Sequence, residues 1–310
     1  MNSVNMFEVY HVADFTSSNQ GTQDQSDKEN EDVLVAFDRY LDRCVSIEDY
    51  QYIKTVDEGT YGVVYRATHK QTGELVAVKQ LKFLDSEKSF SIAAARELKL
   101  LMNLWHENIV LVPELAMGSS MKSVFIIMEY LPHQLRSLID TVRSKKRTFG
   151  SENLHCLMHQ LISAMAYLHQ NRVIHRSRYQ APELLLLSTG YSTSVDIRSI
   201  CYIFAEFLNL WPLFQGKSEC DQLKKIFKVR RQTPFGLVTV PCHLRITAKE
   251  ALQHKYFEDE PVAKGPTEFL KSLDLEDDHE DRGSDTGDDG QSGSDTEDDE
   301  QSDSDAIDDE

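Results

Sequence analysis

Three strand-like runs come in quick succession early in the chain. Residues Gln51 to Glu58 and Val63 to Lys70 are rich in aromatic and β-branched residues and flank a short glycine-containing stretch. A Gln71-Thr72-Gly73 turn then leads into a third run, Leu75-Val76-Ala77-Val78-Lys79. The pattern next changes period. Ile92, Ala95, Leu98, Leu101 and Met102 fall on one face of a helix predicted over about 90–104. Val124 to Leu131 reads as a buried strand. A long helix over about 151–170 buries a stripe of Leu154, Leu157, Met158, Leu161, Met165 and Leu168. The run from Arg245 to His254 closes the pattern as a last helix, which Thr247 and Glu250 open with capping-box spacing. Strand-like runs thus come first and helical ones follow.

Composition adds a partition. At 310 residues with 40% hydrophobic content, the chain can hold one large domain or two small ones. Its net charge of −18 is local: Asp274 to Glu310 holds 19 acids and one base, Arg282, and the rest is neutral. That tail repeats with a ten-residue period, GSDTGDDGQS then GSDTEDDEQS, and with so little to bury it is expected to be disordered. It solubilises the chain or attracts basic proteins such as histones. Ser294 and Ser302 each have an acid three residues on and suit an acidophilic kinase. Residues 1–46 read as a largely disordered, mostly polar segment, with 17–32 a linker. No signal peptide and no membrane-length apolar run is found. Five cysteines without C-x-x-C spacing fit reduced thiols in the nucleus or cytoplasm. Arg143-Ser-Lys-Lys-Arg147 is a nuclear-signal candidate or an ordinary solvated loop. No basic stripe with aromatics points to nucleic acid. His155 and His159 stand i, i+4 on the long helix but lack a third metal ligand, so they read as ordinary helix histidines.

The candidate chemistry lies in short strings. Val56-Asp-Glu-Gly59-Thr-Tyr-Gly62-Val-Val-Tyr65 resembles a glycine-rich loop over ATP phosphates, with Asp57 in place of its first glycine; any hairpin can carry G-x-x-G. Lys79 ends a V-A-V-K string, the form of the strand lysine that holds α- and β-phosphates. Glu97 in the 90–104 helix is its expected partner. Further on come V-I-H-R (173–176), Y-Q-A-P-E (179–183), V-D-I-R-S (195–199) and P-L-F-Q-G-K-S-E-C-D-Q-L (212–223).

Together these strings resemble the cyclin-dependent kinases, especially the PITSLRE type. The resemblance implies an α+β, bilobal protein-kinase fold over about 47–260, with a β-rich N-lobe over 47–131 and a helical C-lobe over 132–260; composition makes 261–310 the acidic disordered tail. It implies that Val56, Val64 and Ala77 sandwich the adenine, that Gly59, Gly62, Lys79 and Glu97 serve the phosphates, that Met128 is the gatekeeper, and that Glu129 and Leu131 bond the base. Gln134 stands where the family has a ribose-binding Asp. ATP with magnesium is the implied cofactor, a protein the implied substrate, and a cyclin the implied partner of the 90–104 helix. That helix reads S-I-A-A-A-R-E, and only its Arg-Glu matches the cyclin-contacting motif well.

One stretch departs from the pattern. Between Arg176 and Tyr179 stand only Ser177 and Arg178, where kinases carry roughly forty residues including the catalytic Asp, an Asn and D-F-G. Ser177 takes the place of the Asp, and no D-F-G string occurs anywhere. Three Cα steps reach about 11 Å, so a shortcut is feasible. The small sheet flooring the pocket is expected to be lost with the segment, leaving the C-lobe incomplete. A second junction lies between Pro234 and Arg245. Arg198 and Tyr202, at positions the family packs tightly, suggest relaxed packing. Asp196 is expected to brace the catalytic loop, and Arg245 to pair with Glu183. Three readings stay open: a kinase by descent with transfer lost or strongly impaired, a non-catalytic pseudokinase or interaction module, and a shortened product of an active kinase gene.

Overall fold

Residues 4–5, 13–14, 35, 39–59, 62–81, 92–119, 123–175, 179–188, 191–232, 244–257 and 273 are described by a computed structural model of the chain. Its first half centres on a six-stranded sheet. The strands are β3 (Val45–Ser46), β4 (Tyr50–Gly59), β5 (Gly62–His69), β6 (Leu75–Leu81), β7 (Glu114–Met117) and β8 (Val124–Glu129), in the order β3-β7-β8-β6-β5-β4. All neighbours are antiparallel except β3 and β7. The β4–β5 hairpin closes at the Gly59–Gly62 pair and carries irregularities near Tyr52 and Thr55. The predicted turn at Gly73 is present, with the glycine at φ 72°.

Side-chain alternation gives this sheet two faces. Tyr50, Ala67, Val76, Val78, Ala116 and Ile127 pack on one. On the other, Ile126 is covered by helix α1 (Ile92–Asn103) through Ala95, Leu98 and Leu101. Tyr40, Leu41 and Cys44, from the segment expected to be largely disordered, pack against the same cluster, and Asn103 donates to the Tyr40 hydroxyl at 3.2 Å.

Helices dominate the second half: α2 (Leu135–Ser144), α3 (Ser151–Gln170), α4 (Pro182–Leu185), α5 (Ser194–Asn209), α6 (Glu219–Gln232) and α7 (Ala248–Leu252). The predicted stripe of α3 is buried along its length and forms the centre of the main core. The capping box of α7 is complete: Glu250 N–H donates to the Thr247 hydroxyl, and the Glu250 carboxylate accepts from Thr247 N–H. Leu273, beyond the expected limit of 260, is fully buried in this core. The second junction (residues 233–243) and the tail (274–310) lie outside the described residues. Among the described residues, no helix is long and apolar enough to cross a membrane.

Two short pairings complete the architecture. Strand β9 (His133–Gln134) pairs in parallel with β1 (Val4–Asn5), and β10 (Val173–Ile174) pairs antiparallel with β2 (Ala13–Asp14). The sequence pattern predicts neither pairing. Strand β10, just before the shortened stretch, thus has a neighbour drawn from the N-terminal residues.

Candidate nucleotide site

Strand register places three of the predicted nucleotide residues on one face. Lys79 stands opposite Val64 on β5 and Ile126 on β8, and Ala77 stands opposite Arg66 and Met128. Cross-strand partners share a face, so Val64, Ala77 and Lys79 lie together on the side that α1 covers. Ala77 is buried, Lys79 and Val64 half-buried, and Val56 more exposed. Gly59 and Gly62 form the tip of the hairpin. The side chains of Asp57, Gly62 and Glu97, and all of Thr60 and Tyr61, lie outside the described residues. Glu97 belongs to α1 by its backbone.

The connection after β8 is well braced. Glu129 N–H donates to the Leu111 carbonyl at 3.1 Å, and the Glu129 carboxylate accepts from Leu111 N–H at 3.0 Å. Met128 packs against the α1 cluster. Buried Arg66 places its guanidinium 5.1 Å from the Tyr130 ring centroid. Leu131 and Gln134 are half-buried, and Gln134 lies on β9.

Below the cleft, helix α5 holds both ends of the shortened stretch. Asp196 is fully buried. Its Oδ2 accepts from His175 N–H at 3.0 Å and lies 3.0 Å from His169 Nε2. On the far side of the junction, the Ser199 hydroxyl donates to the Tyr179 carbonyl at 2.7 Å, and the Tyr179 hydroxyl donates to buried Glu206, which Arg136 also contacts. One helix thus pins the residues just before and just after the gap. Arg176, Ser177 and Arg178 themselves lie outside the described residues.

Arg198 and Tyr202 correct an expectation. Both are buried, and Arg198 Nε donates to the Tyr202 hydroxyl at 2.6 Å. Two residues that suggest relaxed packing are both buried and bonded to each other one helical turn apart. Beside them Arg245 makes the expected ion pair with Glu183, with a second bond at 3.2 Å, and also reaches the Ser194 carbonyl at 3.0 Å. Burial would push the Glu183 carboxyl up. The Arg245 bonds and charge, a backbone bond and nearby Arg198 outweigh it and hold the group below the usual carboxylate range. Burial raises the Cys201 thiol and the Tyr202 phenol.

His155 packs on Tyr256 and Phe257, and His159 on Phe257, as ordinary core-edge rings do. Among the described residues no group of three or more His, Cys, Asp or Glu could hold a metal ion. Sequence reasoning misses the N-terminal strands. The available signal is Val4-Asn-Met-Phe-Glu-Val-Tyr-His-Val-Ala-Asp-Phe15, a run dense in β-branched and aromatic residues that ends where the polar linker begins.

A family model for the protein kinase domain matches residues 50–177, so its match stops at the junction. The chain is 40% identical to the serine/threonine-protein kinase PITSLRE of Drosophila melanogaster, over 60% of this chain and 24% of that protein. It is 36% identical to cyclin-dependent kinase G-1 of Oryza sativa subsp. indica, over 61% of this chain and 32% of the relative. Against cyclin-dependent kinase 11B of Rattus norvegicus, identity is 32% over a stretch of 310 residues, covering 74% of this chain and 70% of the relative. The chain thus spans about a quarter to two-fifths of the first curated relatives it matches, and a larger share of the rat protein.

Proposed function

Because this chain belongs to the cyclin-dependent kinase family of serine/threonine protein kinases, we propose that it keeps the family's ATP-binding upper lobe while phosphoryl transfer is lost or strongly impaired. The observation that carries the first half is the strand register placing Lys79, Val64 and Ala77 on one face, below the Gly59–Gly62 tip. In this reading Val56, Val64 and Ala77 take the base between them. The Glu129 carbonyl and Leu131 bond its edge, Gln134 meets the ribose, and Lys79 meets the phosphates, with Glu97 as its partner.

The second half follows from what transfer requires. Phosphoryl transfer is mostly positioning and charge stabilisation around a metal-bound phosphate. A serine hydroxyl in the position of Ser177 is a poor base near neutral pH and a poor magnesium ligand. Asp196 does not fit a cation, because its oxygen braces His175 and contacts His169. No step is therefore assigned to a metal here. The stretch aligned with the rat relative is longer than the part of this chain it draws on, as internal excisions require and as a shortened product of an active kinase gene would give.

A fluorescent ATP titration tests the nucleotide site. Saturable binding is expected without magnesium, weakened about tenfold by Lys79→Met, in line with loss of a charge-assisted contact. Magnesium is expected to change affinity less than about twofold. Strong metal-dependent tightening contradicts the missing-ligand half, and absence of any saturable binding contradicts the whole reading. The chain's −18 tail favours a second role as an interaction module for basic proteins, with α1 the candidate cyclin-facing helix.

A further inference from the structure

Strand β10 lies just before the shortened stretch, and its residues Val173 and Ile174 are each about 1% exposed and belong to different packed clusters. Backbone groups buried that deeply need partners. The stretch absent between Arg176 and Tyr179 takes with it the segment expected to supply them. The partner found instead comes from some 160 residues earlier in the chain: Asp14 stands opposite Val173, and Ala13 opposite Ile174. The same N-terminal segment pairs a second time, Val4 opposite His133 and Asn5 opposite Gln134, directly after the β8 connection.

We propose that the N-terminal strands at 4–5 and 13–14 are internal strand donors, with 13–14 supplying in cis the neighbour that β10 needs beside the missing stretch. Each pairing is only two residues long and marginal alone. Both donors belong to the same chain as their partners, so they act as linked contacts at high effective concentration. Strand addition to an exposed edge gives binding through main-chain bonds, and the β-branched and aromatic content of residues 4–15 suits that use.

Amide hydrogen exchange on the full chain tests this against a variant carrying Ala13→Pro and Asp14→Pro. Proline removes the donor N–H groups that a ladder uses. Exchange around Val173–Ile174 and His133–Gln134 is expected to speed up about tenfold, while the β5–β6 ladder keeps its protection. Unchanged exchange at Val173–Ile174 overturns the proposal. If the double variant loses its lower lobe altogether, Ala13→Pro and Asp14→Pro are each read singly in the same way. Faster exchange confined to those two places supports donation, and none there overturns it. As a second readout, a synthetic peptide of residues 1–16 is expected to bind the proline variant and slow exchange at Val173–Ile174. A peptide without effect there contradicts the proposal.

Discussion

Arg198 and Tyr202 differ from the family pattern singly and agree with each other as a pair. A buried guanidinium with no acceptor would cost several kcal/mol, and the phenol one turn away supplies one. Tyr202→Phe is therefore expected to destabilise the chain by about 1–3 kcal/mol, because it strands a buried donor. Adding Arg198→Met should recover much of the loss, a coupling that urea denaturation of the double-mutant cycle would measure. The i, i+4 spacing is legible in the sequence. Whether the guanidinium turns inward is not, because that depends on the Glu183 and Arg245 charges, which only the fold brings close. Leu187 makes a second residue-scale case. It is 85% exposed at φ 55°, so its side chain gains little from burial while its backbone sits in the region glycine tolerates. Leu187→Gly is expected to raise stability by about 0.5–1 kcal/mol, read as a higher urea midpoint at unchanged slope.

Among the elements, the strands and helices with a clear period are the ones the sequence makes visible. The β4–β5 hairpin, β6, α1, α3 and the α7 capping box all lie where the periodicity predicts. The two-residue strands do not show, since two residues carry no period and their partners lie far off in the chain. The α4–α7 connection was legible through a different route, the resemblance that pairs Glu183 with Arg245. That ion pair gives a pH prediction. Glu183 has its folded carboxyl held below the usual range, so its contribution is present above the ordinary carboxylate pKa of about 4.3 and fades as pH falls through the lower folded value. Arg245→Leu is expected to cost about 3 kcal/mol near pH 7, and the gap to the parent chain should narrow on acidification below about pH 4. Thermal melts across that range would measure both.

At the scale of the whole molecule, charge and fold separate. The region before Asp274 is neutral by formal count, and the entire −18 sits in the last 37 residues. Removing residues 274–310 is therefore expected to leave ATP affinity and the melting midpoint unchanged, since Leu273 stays to fill its place in the core. The same removal should abolish binding to histone-like basic proteins in low-salt titrations, where unscreened charge dominates. The candidate nucleotide site is mostly readable in advance because its residues lie on long, periodic strands. The proposed catalytic deficit is argued from the sequence because it is a shortage of residue types. The way the chain closes over that shortage is not, since it depends on helix α5 bonding His175 and Tyr179 from below and on a distant segment lying against β10.

Transfer of radiolabelled phosphate from ATP with magnesium to a basic serine-proline peptide tests the central claim most directly, with Lys79→Met measured in parallel. The expected incorporation by the parent chain is no higher than by Lys79→Met. Incorporation that rises with time in the parent chain and disappears with Lys79→Met would contradict it.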